Sequence, residues 1–178
     1  MPQTITEKVV QAHAEGLEPG YEVLAGDMVT VPPFHVLTPD NTGAVLPKCQ
    51  TIGAERVADP SQPVFTLDHN VQDTGAANLA KYGRIQEFAG SHGIVFFPAG
   101  AGIGHQLMVE HGFVHPGALV VASDSHSNMY GGVGAIGTPV VRTDAAAIWA
   151  TGEFWWQIPR TIQVVLDEAH VIDTVILP

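Results

Sequence analysis

The sequence has a single cysteine, Cys49, in 178 residues. No disulfide can therefore form within the chain, and no metal centre built from several thiolates can be ligated by it alone. Positive charge is nearly as scarce. Seven Lys and Arg stand against 18 Asp and Glu, a formal charge of −11, the reverse of the basic surface that phosphate neutralisation demands. Nucleic acid is excluded as an expected partner. No run approaches the roughly 20 apolar residues that cross a bilayer, so no membrane association is expected. The opening "MPQTITEKVVQAHAEG" has neither the unbroken apolar centre of a secretory signal nor the Arg-rich, acid-poor character of a transit peptide. The expectation is a cytoplasmic or mitochondrial-matrix chain with no recognisable targeting peptide. Also missing are a G-x-S-x-G elbow and a G-x-x-x-x-G-K-[ST] loop, which argues against a serine hydrolase and a P-loop ATPase. The helicase-like "LDEAH" (166–170) is then a coincidence of spelling.

What is present is apolar and lightly charged: 46% hydrophobic and 14% charged residues, a balance that suits one buried, folded domain. Thr4 or Thr6 can cap a helix through "TEKVVQAHA", and "DMVTV" (27–31) reads as a strand closed by two prolines. "PVFTL" predicts a buried strand that delivers Asp68 and His69. "AANLAKYGRIQEFAGSHG" has helical spacing at Leu79, Ile85 and Phe88, and leads into a strand "IVFFPAG" and a loop "AGIGHQ" carrying His105. After a short helix "LMVEHG", "ALVVAS" (118–123) is a further buried strand, ending at Asp124, Ser125 and His126. "TDAAAIWATGEFWWQIP" predicts a helix capped by Thr143 or Asp144 and running to Pro159, with its three tryptophans in the core, followed by a short strand "TIQVVL". Strands alternating with helices give an α/β fold: a mostly parallel sheet in a three-layer α/β/α arrangement.

Ligands in such open sheets bind beyond the carboxyl ends of the strands. Three apolar runs end in "DH", "GIGH" and "DSH", so Asp68, His69, His105, Asp124, Ser125 and His126 should converge on one rim. A carboxylate beside an imidazole raises its pKa and suits it to proton donation. His105, flanked by glycines, reads as exposed. Asp124, Ser125 and His126 as chain neighbours do not form a nucleophilic triad, because residues i and i+2 share a face only in an extended segment. Polar groups that grip a small polyacid and move protons fit better. His13, His35, His92, His111, His115 and His170 lack such surroundings, and no metal-ligand spacing stands out. Gly132, Gly134 and Gly137 spell G-x-G-x-x-G, but eight residues separate them from the strand. A nucleotide-binding loop is the weaker alternative; close backbone approach is the better reading of these glycines.

The segments "TITEKVV", "GDMVTV", "TLDHNVQD", "NLAKYGRIQEFAGSHGIVFFPAGAGIGHQ" and "VASDSHSNMYGGVGAIGTPVVRTDAAAIWATGEFWWQIP" together resemble the N-terminal portion of the aconitase superfamily of hydro-lyases. They are most similar to its homoaconitase branch, found in fungal-type lysine biosynthesis, and close to isopropylmalate isomerase large subunits. The resemblance runs from about 4 to 166 and leaves 167–178 as an atypical tail of a single, incomplete domain. It implies dehydration and rehydration of a hydroxy-polycarboxylate on a [4Fe-4S] cluster. It also implies catalytic roles for Asp68, His69, His105, Asp124 and His126, and substrate binding by Ser125. Pro39 stands where relatives carry a polar, substrate-contacting side chain. The cluster cysteines and later domains of the superfamily are not in this sequence, so the resemblance implies that a cluster-bearing partner chain or further domains supply them. The chain alone is expected to be inactive, and the hydroxy acid is open among homocitrate/homoisocitrate, isopropylmalate and citrate types. A non-catalytic assembly module derived from the same fold is the alternative from a different functional class.

Overall fold

The computed structural model describes residues 2–54 and 56–165. Its first helix, α1 (Ile5–His13), starts at Thr4. The Thr4 hydroxyl accepts the Glu7 N–H, and the Glu7 carboxylate accepts the Thr4 N–H, a reciprocal capping box. Strand β1 (Met28–Val31) follows, then the sheet on which the site is built. Its strands are β2 (His35–Thr38), β3 (Pro63–Thr66), β4 (Val95–Phe97), β5 (Leu119–Ala122) and β6 (Ile136–Pro139), all parallel in the order β4-β3-β2-β5-β6.

Alternation along the strands divides the core in two. Val36, Phe65, Leu119 and Val121 point to one face, into a cluster completed by Val45, Tyr82, Ile85, Ala145 and Trp149. These come from α2 (Thr42–Ile52), α3 (Ala76–His92) and α5 (Arg142–Thr151). Leu37, Val64, Val120 and Ala122 point the other way, onto Met108 of α4 (Gly104–Glu110) and Tyr130 of a 3-10 helix at Ser127–Val133. The period of two thus places a helical layer on each side of the sheet. Each fully buried side chain contributes roughly 1.5–3 kcal/mol, so both layers are held mainly by these faces.

Several elements differ from the sequence expectation. β2, the central strand, and α2 were not predicted. "HVLT" is only four residues long and is flanked by prolines, while α2 contains Gly43 and Pro47, both poor helix formers. Burial of Val45 and Cys49 between sheet and helices overrides that propensity. Leu79 does not lie on the inner face of α3. It is exposed, and Asn78, Tyr82, Ile85 and Ala89 are buried instead. α5 begins after Val141, which gives no side-chain cap, so neither Thr143 nor Asp144 is the cap. The helix stops at Gly152, whose φ of 84° ends it in the left-handed region. The residues beyond form β7 (Phe154–Gln157), antiparallel to β1. Of the three tryptophans, Trp149 is fully buried and Trp155 is 76% exposed. Residues 161–165 form no strand. "LDEAH" with His170, and the tail 167–178, lie outside the described residues.

The glycine run hides the edge strand β6. Gly137 sits inside that strand, and a Cβ there would lie 1.8 Å from the Ser127 carbonyl oxygen and 2.9 Å from the Tyr130 ring. No side chain fits. Gly132, by contrast, has open space around it, and Gly134 closes the 3-10 helix at φ 77°. Close approach of two backbone segments therefore explains Gly137, and no α-helix opens within the run to make a dinucleotide loop.

Candidate active site

From β2 the chain steps outward to β3 and β4, then crosses back to β5 on the other side of β2 and on to β6. The connections leaving β2 and β5 diverge, opening a crevice at their carboxyl ends. Asp40 follows β2, Asp68 and His69 follow β3, and Ser123 and Asp124 follow β5. Asn41 spans the crevice, with its Nδ2 donating to the Ser123 hydroxyl at 3.1 Å.

Asp124 is the hub. Its Oδ1 accepts from His105 Nε2 at 2.8 Å, His126 Nδ1 at 2.9 Å and the His126 backbone N–H at 2.8 Å. Its Oδ2 lies 3.3 Å from His69 Nε2. A second carboxylate holds the other side of His69: Nδ1 donates to Asp68 Oδ1 at 2.7 Å. His69 is thus set between two carboxylates. A neutral ring would face Asp124 with a lone pair, whereas an imidazolium presents N–H to both.

Asp68 is itself fixed by the Gly104 N–H, which donates to Oδ2 at 2.6 Å. A Cβ at Gly104 would come within 2.5 Å of the Thr66 hydroxyl and 2.9 Å of that Asp68 oxygen. Glycine is required there by crowding, and His105 follows it on α4. The sequence reading of His105 as an exposed loop residue is corrected: it is buried in the helix, with Nδ1 2.8 Å from the Tyr130 hydroxyl. The Asp124 carboxylate can only accept, so the His105 Nε2 carries hydrogen, and the Tyr130 hydroxyl is the partner of Nδ1.

The charge states follow from these contacts. Burial alone would raise the Asp124 carboxyl, but the His126 N–H and the His105 and His126 rings override it and hold the group well below its ordinary range. Burial would likewise lower His69, yet the Asp68 hydrogen bond and the charges of Asp68, Asp124 and Asp40 raise it above the ordinary imidazole value. Burial pushes the Tyr130 phenol up, so it stays a neutral donor.

Asp40 was missed as a site residue. Its Oδ2 accepts the N–H groups of Asp68 at 2.9 Å and His69 at 2.8 Å, and its Oδ1 accepts from the Tyr82 hydroxyl. Burial would raise it, but these donors keep it below its usual range. The signal was available, since "VLTPD" repeats the pattern of an apolar run ending in Asp seen in "FTLD" and "VASD". Pro39, beside it, offers only its backbone carbonyl, which accepts from the Thr42 N–H and hydroxyl.

Asp68, His69, His105, Asp124 and His126 line one cleft of about 430 Å³ with Ile103 and Met129. Ser125 does not join them. It is exposed, its hydroxyl has no hydrogen bond among the described residues, and it opens on an adjoining cavity that shares Asp124. A further cavity between β6, α5 and β7 lies away from the imidazoles.

The model of the aconitase family (aconitate hydratase) covers residues 7–170. The chain belongs to the aconitase family. Its relatives include proteins named mitochondrial homoaconitase. That of Cryptococcus neoformans is 58% identical over 93% of this chain and 23% of its own length. That of Neurospora crassa is 58% identical over 92% and 21%, and that of Chaetomium globosum 59% over 92% and 20%. The chain spans about a fifth of the length of these curated relatives.

Family membership implies an iron–sulfur cluster, and the residues here do not fit one. Such clusters take several thiolates. Cys49 is the sole cysteine, it is buried in the apolar cluster beside Val45, and burial pushes its thiol up, away from the thiolate a metal needs. No helix among the described residues is long and apolar enough to cross a membrane.

Proposed function

We propose that this chain supplies the proton-handling side of a hydro-lyase active site acting on a hydroxy-polycarboxylate of the homocitrate/homoisocitrate type. The observation that carries it is the Asp124 hub, on which His69, His105 and His126 converge beside a cleft. In dehydration a base supplied by the further domains or partner chain takes the proton from the adjacent carbon. The C–H pair becomes the C=C, the C–O bond breaks, and the departing oxygen needs a proton. His69, half exposed and held as imidazolium by Asp68 and Asp124, gives it. In the reverse direction His69 takes a proton from the attacking water.

His126, largely exposed with its Nδ1 on Asp124, offers Nε2 to the substrate. His105 is a positioning residue: buried, it fixes Asp124 between its own Nε2–H and the other rings. Ser125 contacts the substrate from the adjoining cavity. We read residues 1–178 as a single α/β domain, incomplete by comparison with its relatives. The cluster that the family implies is held by further domains or a partner chain, and the mitochondrion is the compartment its relatives' names suggest.

The test combines the chain with a separately expressed, anaerobically reconstituted cluster-bearing remainder of a homoaconitase relative, following ene-acid absorbance. Activity is expected only in the mixture, falling at least about 100-fold with His69→Ala. A mixture whose rate is indifferent to His69→Ala overturns the assignment. An assembly module is the second reading, favoured by Met28 (54% exposed) and Trp155 (76%) on the β1–β7 ribbon. It gains if the chain binds the remainder but no turnover appears.

A further inference from the structure

Of the three tyrosines, Tyr130 is the one whose hydroxyl reaches an imidazole. Its side chain is fully buried, beneath the sheet face that carries Leu37 and Val120. A buried phenol without a partner costs about 1–3 kcal/mol, and among the described residues this one has a single partner, His105 Nδ1 at 2.8 Å. The two rings meet edge to face, with centroids 5.4 Å apart.

The glycine run gives this ring its seat. The 3-10 helix Ser127–Val133 carries Tyr130 inward, and β6 passes so close behind it that a Cβ at Gly137 would lie 2.9 Å from the ring. The Tyr130 carbonyl accepts the Ala135 N–H at 3.1 Å. Backbone on both sides thus sets where the hydroxyl stands, and backbone packed at this density yields little.

From that hydroxyl a line of contacts crosses the site. Tyr130 meets His105 Nδ1, His105 Nε2 donates to Asp124 Oδ1 at 2.8 Å, and Asp124 Oδ2 lies 3.3 Å from His69 Nε2. Both nitrogens of His105 are engaged, so any turn of the ring breaks a bond. The titratable groups around His105 are Asp124 and His126 after β5, Asp68 after β3, and Tyr130 itself; His69 faces Asp68, Asp124 and Asp40.

We propose that Tyr130 is a positioning residue for the proton donor: its hydroxyl holds the His105 ring, which holds Asp124 with one oxygen turned to His69. The inference rests on the hydro-lyase reading above and deepens it, adding a residue that never meets the substrate. Loss of the hydroxyl alone frees His105 at Nδ1 and loosens Asp124 from His69, while the phenyl ring keeps its seat against Gly137.

The test follows hydroxyl and histidine-ring signals by NMR in the full 178-residue chain. At pH about 8, above the ordinary imidazole value, a slowly exchanging Tyr130 hydroxyl proton coupled across the hydrogen bond to His105 Nδ1 is expected. A proton resident on Nδ1 instead, or none held between the two, overturns the proposal without a variant. In Tyr130→Phe the His69 titration should move down, whereas Tyr21→Phe, at a ring 45% exposed, should leave it in place. Combined with the cluster-bearing remainder, Tyr130→Phe should lower kcat about tenfold and change KM by no more than about twofold. A His69 titration unmoved by Tyr130→Phe reduces Tyr130 to packing and overturns the inference; the hydro-lyase reading then stands if His69→Ala still abolishes turnover. A His69 shift beside a rate indifferent to His69→Ala overturns the hydro-lyase reading and leaves the hold of Tyr130 on His69 in place.

Discussion

Two sets of histidines sit at opposite ends of the same sheet, and they have been put to opposite uses. At the carboxyl ends of the strands, His69, His105 and His126 are bound to Asp68 and Asp124. At the amino ends, His35 packs edge-on against Phe34 and Phe113 with ring centroids 4.9 and 5.0 Å away. His115 lies edge-on to Phe34 and His111 stacks near Phe113. One residue type is thus hydrogen-bonded where carboxylates surround it and serves as a packing element where phenyl rings do. Burial lowers His35, whereas the carboxylates overcome burial and raise His69.

The largest effect should come from undermining the rim set alone. Gly137→Ala drives a methyl into the Ser127 carbonyl, directly beyond His126. It should cost at least about 3 kcal/mol, since backbone cannot yield as a flexible side chain does. Gly132→Ala, in open space, should change stability by no more than about 0.5 kcal/mol. Urea unfolding of the two variants compares them directly, and similar midpoints would break the claim that backbone contact anchors the rim.

A smaller effect sets the histidine groups against each other. His105→Phe strands the buried Tyr130 hydroxyl and removes a donor from Asp124, and should cost about 2–4 kcal/mol. His35→Phe loses only a 3.2 Å contact with the Gln62 carbonyl while keeping its aromatic neighbours, so about 1 kcal/mol or less is expected. Denaturant midpoints of the pair measure the difference. Equal losses would make the two ends structurally equivalent.

The rim was legible in the sequence to the extent that its positions follow buried runs. "PVFTL" and "ALVVA" are continuous apolar strands, and the acids and histidines after them necessarily emerge at the carboxyl end. Asp40 escaped because β2 is short and bounded by Pro33 and Pro39. His105 was placed in a loop because glycines surround it. Gly104 instead answers to Thr66 and Asp68, some 36 residues away, and such crowding has no local signature. Tyr130, 25 residues from the ring it bonds, was invisible for the same reason. β7 was absorbed into the preceding helix because its pairing with β1 joins the two ends of the described chain.

Protonation also ties His69 and His35 to stability with opposite signs. A His raised in the folded state, as His69 is, adds stability that is fully present below its unfolded pKa near 6.5 and is lost as pH rises through the folded value. His35, lowered by burial, does the reverse: its contribution is present above about 6.5 and is lost as pH falls through its folded value. The smallest perturbation and the most direct measurement coincide here. A pH titration of the histidine-ring signals, in the unmodified chain and in Asp124→Asn, follows both sets in one experiment. His69 should titrate above the ordinary imidazole value and move down in Asp124→Asn, while His35 titrates below it and stays in place. A His69 that titrates at or below His35, or is unmoved by loss of the Asp124 charge, would contradict the assignment of the rim set as proton donors.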